Sequence, residues 1–401
     1  MGRYSVVMAA GFFLLILFMS SPGAVARTIY VDVSNHGDPS MNGSAAHPYD
    51  GISKAVDNAS TSDLVIVANG TYNDSVTIDR AITVRGNGST VVSPGSSGVA
   101  ITIDENYVTV DGLNITHAKY GIEVSADHAT LWNLTIKNCQ HGIHIQSHSD
   151  IAIANVTITD SKEGVWITGS SYITLTDVEA TDNEDDGVYL SLTDNCTIDG
   201  GRFSDNDQRG IFLESSGGDI VIRDCEVRDN DYYGIAMVSD SSGNRIEGVT
   251  VSGSAWGLYF FSNSDDNTVI GSTVTGNDVN IYIRNCDGET IKASDVGGGT
   301  TRNIHLFNSE GNRIIDSDAL PGSVLLEFQS DLVATNTSIW NEVIDDEDSR
   351  LVVKNWVIVR VVTSPPSSFG IEDADVRIVD RNGTDNRTVF ATPHFGGTNA
   401  T

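Results

Sequence analysis

Basic residues are scarce in this chain of 401 residues. It has 23 lysines and arginines against 54 aspartates and glutamates, and its formal net charge is −31 at pH 7. Nucleic acids and anionic membrane surfaces are therefore poor partners for the chain as a whole, because they repel a polyanion. Cations or a salt-rich medium suit it better, although a well-solvated surface also explains the charge.

Cysteine is rare, and no long apolar run occurs after the N-terminal segment. The four cysteines form no CxxC pair and lie at no zinc-like spacing from a histidine, which favours buried free thiols. The apolar run Val6–Met19 follows Arg3 and precedes a small-residue site at Ala24–Ala26, as in a secretory signal peptide over residues 1–26. We therefore expect an exported or cell-surface protein, extracellular or periplasmic. It would reach a membrane only through that peptide or an anchor outside this chain.

Helical periodicity is almost absent, and another period takes its place. A Gly or Asn followed by an apolar residue, any residue and a second apolar residue recurs at steps of 21 to 24 residues. A period this steady is typical of a repeat architecture. The nine anchor residues are Gly121, Gly142, Gly164, Gly187, Gly210, Gly234, Gly257, Asn280 and Asn303.

Each repeat predicts one coil of an all-β, right-handed parallel β-helix. A second apolar-alternating stretch lies between anchors and is broken by a residue that tolerates a left-handed backbone, such as Gly112 or Asn155. Strand, corner, strand, turn and strand then fill about 23 residues. The apolar residues that flank the variable position of each anchor phrase, such as Ile143 and Ile145, are expected to point inward.

The two ends of the chain depart from this pattern. We expect residues 27–100 to form an N-terminal cap and the first rungs, with a short capping helix at Ile52–Ala59. Residues 101–345 are predicted to hold the β-helix repeats. Residues 351–401 resemble the start of an immunoglobulin-like sandwich, which is incomplete because only about three strands are present.

Asn-x-Ser/Thr sequons are numerous, which suits an exported glycoprotein. A chain rich in Asn, Ser and Thr also makes such sequons by chance. They include Asn42, Asn58, Asn69, Asn73, Asn87, Asn336, Asn382 and Asn386.

The repeat resembles the right-handed β-helix families that group carbohydrate-binding proteins with sugar hydrolases and pectate-lyase-like enzymes. It is most similar to the NosD-like repeat family, whose namesakes assist copper-site maturation in an exported reductase. The stretch from Tyr30 through Pro48-Tyr-Asp-Gly-Ile to Tyr72 resembles the N-terminal cap of such proteins. The resemblance covers residues 28–345 and implies the fold. For function it leaves open binding, catalysis on polysaccharides and metal delivery.

The variable position of the anchor phrase forms an outward-facing column rich in aromatic residues. Flat rings at rung spacing are a platform for sugar rings or for another protein, and the alternative is a ladder that only stabilises the sheet. The candidate ligand-binding residues are Trp166, Tyr189, Phe212, Tyr259 and Tyr282, in a column that also holds Glu123, His144, Ala236 and His305.

The turn before the anchor is acidic on three consecutive rungs. Stacked carboxylates repel one another, so calcium is a candidate ligand, although a solvated acidic edge explains the pattern too. In a polysaccharide lyase such a cation would bind the uronate and Arg209 would act as the base. The acidic candidates are Asp182, Glu184, Asp205, Asp207, Asp229 and Asp231, of which Asp182, Asp205 and Asp229 are also the weak catalytic candidates.

Histidines cluster in the early rungs, and His144 and His148 are candidate ligands for a transition metal. The short runs associated with pectate lyases and polygalacturonases do not occur, which disfavours catalysis. We therefore expect a carbohydrate-binding or structural, adhesive surface protein whose partner is a polysaccharide, a cell-surface glycan or another surface protein. The alternative is a lyase or glycoside hydrolase acting on an acidic polysaccharide, and the third possibility is a NosD-like metal-delivery protein.

Overall fold

The computed structural model describes residues 26–317, 324–337, 339, 342–345 and 347–354. The predicted signal peptide, apart from Ala26, and the sandwich-like segment beyond Lys354 lie outside these residues. The chain divides into two units, Met1–Asn355 and Trp356–Thr401, and all that follows concerns the first. No helix in the described ranges is both long and apolar enough to cross a membrane.

The described chain is a right-handed parallel β-solenoid of about twelve turns, as the repeat predicts. Its strands form two sheets in which all pairings along the axis are parallel, one coil to the next. Coils of this kind stack at roughly 4.8 Å. Equivalent positions of successive repeats therefore lie above one another.

The first sheet has 21 strands. From residue 197 onward most coils contribute two short strands on either side of a corner. Its strands are Thr28–Val31, Leu64–Val67, Gly70–Tyr72, Thr83–Val92, Thr109–Thr116, Thr130–Lys137, Ala152–Thr159, Thr174–Thr181, Thr197–Asp199, Arg202–Ser204, Val221–Arg223, Glu226–Arg228, Arg245–Glu247, Thr250–Ser252, Thr268–Ile270, Thr273–Thr275, Thr290–Lys292, Asp295–Gly297, Asn312–Ile315, Asp331–Thr335 and Arg350–Lys354.

The second sheet has 13 strands and contains the anchor phrases. Each coil contributes one strand to it. The strands are Val76–Ile78, Gly95–Ile103, Ala118–Val124, His141–Gln146, Glu163–Thr168, Asp186–Ser191, Arg209–Glu214, Tyr233–Val238, Trp256–Phe261, Val279–Arg284, Arg302–Phe307, Val324–Glu327 and Glu342–Ile344.

The helical content is small and lies near the N-terminus. A 3-10 turn spans Val33–Asn35, and one α-helix spans Ile52–Asp57. The helix begins where the sequence predicts it and ends two residues earlier. Its Ile52, Ala55 and Val56 are buried in the same apolar core as the coils.

The C-terminal boundary of the solenoid differs from the sequence interpretation. Arg350–Lys354 pairs in parallel with Asp331–Thr335, so the coil continues past residue 345 into the segment assigned to another module. The reason is that Leu351 takes the position next to Leu332 in the register of the first sheet. The apolar run that begins at Leu351 is longer than a typical coil strand, so the sequence interpretation did not recognise its first residues as one more rung.

The core and the corners follow the predicted pattern. Both apolar positions of the anchor phrases are buried, as with Ile143 and Ile145, each 0% exposed. The corner residues have positive φ, for example +70° at Gly112 and +52° at Asn155. At the anchor, glycine is required by close approach instead, since a Cβ on Gly164 would lie 2.3 Å from the carbonyl oxygen of Gly187.

A buried asparagine ladder closes the turn before the anchor. The side chain of Asn183 donates to Asn206 and that of Asn206 donates to Asn230, both at 2.9 Å, and all three are at most 1% exposed. In later rungs the ladder moves into the anchor position, where Asn280 donates to Asn303 at 3.1 Å. The Asn280 side chain also accepts from the turn amide of Asn277 at 3.1 Å, so the Asn variants of the anchor extend the ladder.

A second internal ladder contains a carboxyl group. Asn244, Asn267, Glu289 and Asn312 occupy one position on successive coils, and the Asn312 side chain accepts from the Glu289 backbone N–H at 2.9 Å. Glu289 is 1% exposed, and neither of its carboxyl oxygens has a hydrogen-bond partner in the described structure. Burial raises the pKa of Glu289 to about 9.

Glu289 should make folding stability depend on pH. The folded chain keeps this carboxyl protonated at neutral pH while the unfolded chain ionises it near 4.5, so the contribution of Glu289 to stability is most favourable below about pH 4.5 and falls as pH rises toward 9. In Glu289→Gln this loss should disappear, with a gain on the order of 3 kcal/mol at neutral pH. Thermal unfolding from pH 4.5 to 9 measures it.

The matched control is Glu310→Gln, which makes the same substitution at an exposed side chain on the next coil. Its pH profile should follow the wild type. An unchanged slope in Glu289→Gln would contradict the buried, protonated carboxyl.

Candidate functional site

The predicted outward column exists as one in-register row on the second sheet. The parallel pairs include His144 with Trp166, Trp166 with Tyr189, and Tyr259 with Tyr282. We call the outward surface of the second-sheet strands between Ala118 and Glu327 the aromatic face. Four rings of the predicted column, those of Trp166, Tyr189, Tyr259 and Tyr282, are partly exposed to solvent. Phe212 is buried, at 8% exposure.

A neighbouring column, one residue before the anchor, was missed by the sequence interpretation. Ring contacts between the columns, such as His141 with Trp166 at 4.5 Å, place them on one surface. The signal was present in the same repeat. The column reads Tyr120, His141, Glu163, Asp186, Arg209, Tyr233, Trp256, Val279 and Arg302.

Two ring clusters lie toward the ends of the face. In the first, His144 is stacked between Tyr120 at 4.8 Å and Trp166 at 4.7 Å, measured between ring centroids. His144 is 7% exposed, and burial lowers its pKa below the usual value. Its Nδ1 and the Trp166 Nε1 are buried without a hydrogen-bond partner. The cluster therefore presents neutral ring surface.

The second cluster occupies the later rungs. Tyr233 lies 4.6 Å from Tyr259, Tyr259 lies 5.5 Å from Tyr282, and Tyr282 lies 4.5 Å from His305. Trp256 extends the cluster sideways, at 5.2 Å from Tyr233. Burial is the main cause that raises the pKa of Tyr259, so its hydroxyl stays protonated. The small side chain of Ala236 separates this cluster from Phe212.

Charged side chains occupy the centre of the face, between the clusters. The Arg209 Nε donates to the Asp186 carboxylate at 2.6 Å, and the guanidinium lies over the Phe212 ring at 3.7 Å. His141 and Glu163 form a second pair at 2.7 Å. Glu163 and Asp186 belong to the same column on adjacent rungs, so two carboxyl groups lie side by side.

The environment of Asp186 favours its protonated form. Asp186 is 3% exposed, and burial raises its pKa to about 6 even though Arg209 acts in the opposite direction. Glu163 and Asp185 add to the rise through charge repulsion. Near neutral pH this group therefore exchanges protons more readily than an ordinary surface aspartate.

A tyrosine hydroxyl joins the outer edge of the centre. Tyr189 donates a hydrogen bond to Glu214, which lies on the next rung two residues after Phe212, the residue paired with Tyr189. Burial and then this carboxylate raise the Tyr189 pKa. The hydroxyl therefore holds its proton and fixes the ring against Phe212, with centroids 5.4 Å apart.

The acidic turn residues have a structural role in the backbone. Asp182, Asp205 and Asp229 are exposed and lie at φ between +54° and +57°, where Asp, Asn and Gly are tolerated. They belong to the same turn column as Asn138 and Gly253, which also have positive φ. Backbone geometry thus explains these residue types without a ligand. They do not converge with Arg209, which is paired to Asp186 on the sheet.

The metal candidates are not brought together. In the described ranges no group of three or more His, Cys, Asp or Glu side chains is arranged to hold a metal ion. His144 is packed in the first ring cluster, whereas His148 contacts Asp127 at 3.2 Å in a turn. A calcium ion at the acidic turns and a transition metal at the histidines stay predictions. All four cysteines are free and buried.

Comparison with known families agrees with the fold. Residues 97–251 match the family model described as "Right handed beta helix region". The chain carries a right-handed β-helix region. The match falls on the rungs that hold the first ring cluster and the charged centre.

One curated relative of the β-helix chain is a cell surface glycoprotein of Methanothermus fervidus. The two are 34% identical over 91 residues, which is 22% of this chain and 15% of that protein. The chain thus matches only a small part of its relative.

Solved structures with similar coils include the mannuronan C-5 epimerase AlgE4 A-module of Azotobacter vinelandii, at 15% identity and a TM-score of 0.52 over 82% of this chain and 98% of that one. XylC in complex with xylose has 10% identity and a TM-score of 0.52 over 82% and 86%. At these identities the likeness shows the fold alone.

Removing the arginine of the charged centre should destabilise the fold in a pH-dependent way. Arg209→Gln leaves Asp186 buried without its cation, so the Asp186 pKa rises further and stability is lost as pH rises, by about 2–4 kcal/mol at pH 8. At pH 4.5 the deficit should shrink because Asp186 is protonated. Thermal unfolding of the variant against wild type at both pH values tests this.

The double variant Arg209→Gln/Asp186→Asn is the control. It lacks the buried charge and should recover most of the stability at pH 8. A loss of equal size at both pH values would show that the pair acts only through packing.

Proposed function

We propose that this chain is an exported, extracellular or periplasmic surface β-helix protein whose aromatic face binds carbohydrate. The observation that carries the proposal is the in-register row from Trp166 to Tyr282, in which four rings, those of Trp166, Tyr189, Tyr259 and Tyr282, are partly exposed on a sheet that holds them in place. Tyrosine and tryptophan offer an apolar ring and a polar edge, which suits sugar rings edged by hydroxyl groups.

The face is rigid before any ligand arrives. Each ring stands on a strand bonded to both neighbouring coils and is packed against a ring of an adjacent rung, as Tyr282 is against His305. A preorganised surface loses little conformational entropy on binding. Polar side chains beside the row, including Thr168 and Ser191, are placed to meet hydroxyl groups.

The positions of the sequons are compatible with ligand binding at the aromatic face. If they carry glycans, the glycans cover other parts of the molecule, because none of the sequon asparagines in the described ranges lies in a second-sheet strand. Nine of these ten are exposed and Asn114 is partly exposed. They are Asn42, Asn58, Asn69, Asn73, Asn87, Asn114, Asn133, Asn155, Asn195 and Asn336.

The similar proteins support a surface location and a saccharide partner. The curated relative is named a cell surface glycoprotein, which supports export to a surface. Among the structural neighbours, the epimerase takes its name from mannuronan and XylC was solved with xylose, so similar coils serve proteins named for saccharides. A polysaccharide or surface glycan is therefore the proposed partner.

Binding should depend on the rings of this face. We expect Trp166→Ala and Tyr259→Ala each to weaken retention on a polysaccharide about tenfold or more, because each removes a stacking surface worth at least 1.4 kcal/mol. Affinity electrophoresis of the mature protein through gels containing single polysaccharides measures this.

Trp132→Ala is the matched control, since Trp132 is 45% exposed on the first sheet. It should leave retention unchanged. Equal losses in Trp132→Ala and Trp166→Ala, or no retention on any polysaccharide, would contradict the proposal.

One observation favours a second candidate function, a polysaccharide lyase or glycoside hydrolase. Asp186 has a pKa of about 6 and lies beside Glu163, and a pair of carboxyl groups in unlike environments can divide the roles of acid and base. In this candidate Asp186 delivers a proton to the leaving oxygen, while Glu163 takes a proton from the attacking water in a hydrolase or from the sugar carbon next to the carboxylate in a lyase.

Catalysis predicts chemistry that binding does not. Incubation with acidic and neutral polysaccharides should then yield new reducing or unsaturated ends, and Asp186→Asn should lower the rate at least a hundredfold. Glu310→Gln, an exposed carboxyl away from the face, is the control. Retention without new ends would leave binding as the function.

A further inference from the structure

The aromatic face is nearly balanced in charge, unlike the rest of the chain. Its strands between Ala118 and Glu327 carry five carboxylates and four cations, so almost all of the net charge of −31 lies elsewhere. The same strands hold 11 of the 29 aromatic residues of the chain. The carboxylates are Glu123, Glu163, Asp186, Glu214 and Glu327, and the cations are Lys119, Arg209, Arg284 and Arg302.

Several of these charges are already engaged within the face. Asp186 is bonded to Arg209, and Glu214 accepts from Tyr189. The remaining acidic groups lie next to imidazoles, as with His305 and Glu327 at 2.8 Å, and Glu163 also lies 3.7 Å from Lys162. A ligand group that carries negative charge meets a carboxylate on five of the ten strands, whereas the four strands from Tyr233 to Phe307 carry Arg284 and Arg302 and no carboxylate.

Three of the four cations lie over aromatic rings. Arg284 lies over both Phe261 and Phe307, at 5.5 and 5.0 Å from the ring centroids, and Lys119 lies 4.6 Å from the Tyr120 centroid. These positions extend the flat surface of the rings. A polyuronate carries one carboxylate on each sugar, and on the central rungs it would meet Arg209, which Asp186 neutralises.

The surroundings oppose a polyanion at longer range as well. The chain outside the face is strongly acidic, and its field repels like-charged polymers within about a Debye length, roughly 8–10 Å at ordinary salt. A neutral polymer is unaffected by that field. Ring stacking and hydroxyl contacts are the interactions that this surface offers to it.

We propose that the aromatic face selects a neutral polysaccharide over a polyuronate, an inference that rests on carbohydrate binding as the function. Its determinants are the two ring clusters, each of which has a large, partly exposed ring in the outward column, Trp166 in the first and Tyr259 in the second. The paired charges between them orient hydroxyl groups and reject carboxylates.

Calorimetric titration of the mature protein with hexasaccharides of matched length tests the selection. Xylohexaose, cellohexaose and mannohexaose represent neutral polymers, and hexagalacturonate and hexamannuronate represent acidic ones. We expect at least one neutral ligand to bind tenfold or more tightly than either acidic one. Its affinity should change less than twofold between 50 and 300 mM NaCl.

Two variants sharpen the result. Trp166→Ala should weaken the neutral ligand about tenfold, whereas Trp132→Ala on the first sheet should leave it within threefold. Tighter binding of an acidic hexasaccharide, weakened by salt and by Arg284→Gln, would overturn the selection while leaving glycan binding intact.

Binding of no saccharide would overturn the proposed function and this inference together. Sedimentation of the same samples tests whether a second copy of the chain occupies the face instead. A dimer that Trp166→Ala dissociates would assign the face to a second copy of the chain and overturn both.

Discussion

The stacking of each coil on the next in strict parallel register is the constraint on which the rest of this structure depends. A strand that pairs in parallel with its neighbour places like positions in line, so a residue type repeated once per coil becomes a continuous row. Inside, the rows are apolar side chains and the amide ladders of Asn183, Asn206 and Asn230. Outside, the same rule makes a surface of rings.

The outward-facing rows differ in whether they stabilise the fold. Rings stacked at rung spacing stabilise the sheet whether or not they bind anything, and His144 between Tyr120 and Trp166 shows how far this packing goes. The face still departs from simple packing at its centre, where Asp186 and Glu163 occupy adjacent rungs and only Asp186 faces Arg209. A ladder selected for stability alone would avoid two neighbouring carboxyl groups.

Much of this could be predicted from the sequence because one period controls it. The anchor phrase predicts the inward rows, the corner residues and the row through Trp166 and Tyr189. The column before the anchor was equally readable but holds mixed residue types, so no pattern in it stood out. Partner choice was not predictable, because Arg209 bonds Asp186 on the preceding rung and not the turn carboxylates. The buried state of Glu289 also depends on three-dimensional packing, since its neighbours in the ladder are asparagines on other coils.

Oxidative footprinting with mass spectrometry, with and without the tightest-binding oligosaccharide, tests most directly whether the aromatic face is the functional surface. Trp166 and Trp256 lie on the face and Trp132 lies on the first sheet, so one experiment reports on both sides of the coil. The account predicts severalfold protection of Trp166 or Trp256, with Trp132 oxidised at an unchanged rate. Protection of Trp132 alone, or equal protection of all three, would contradict it.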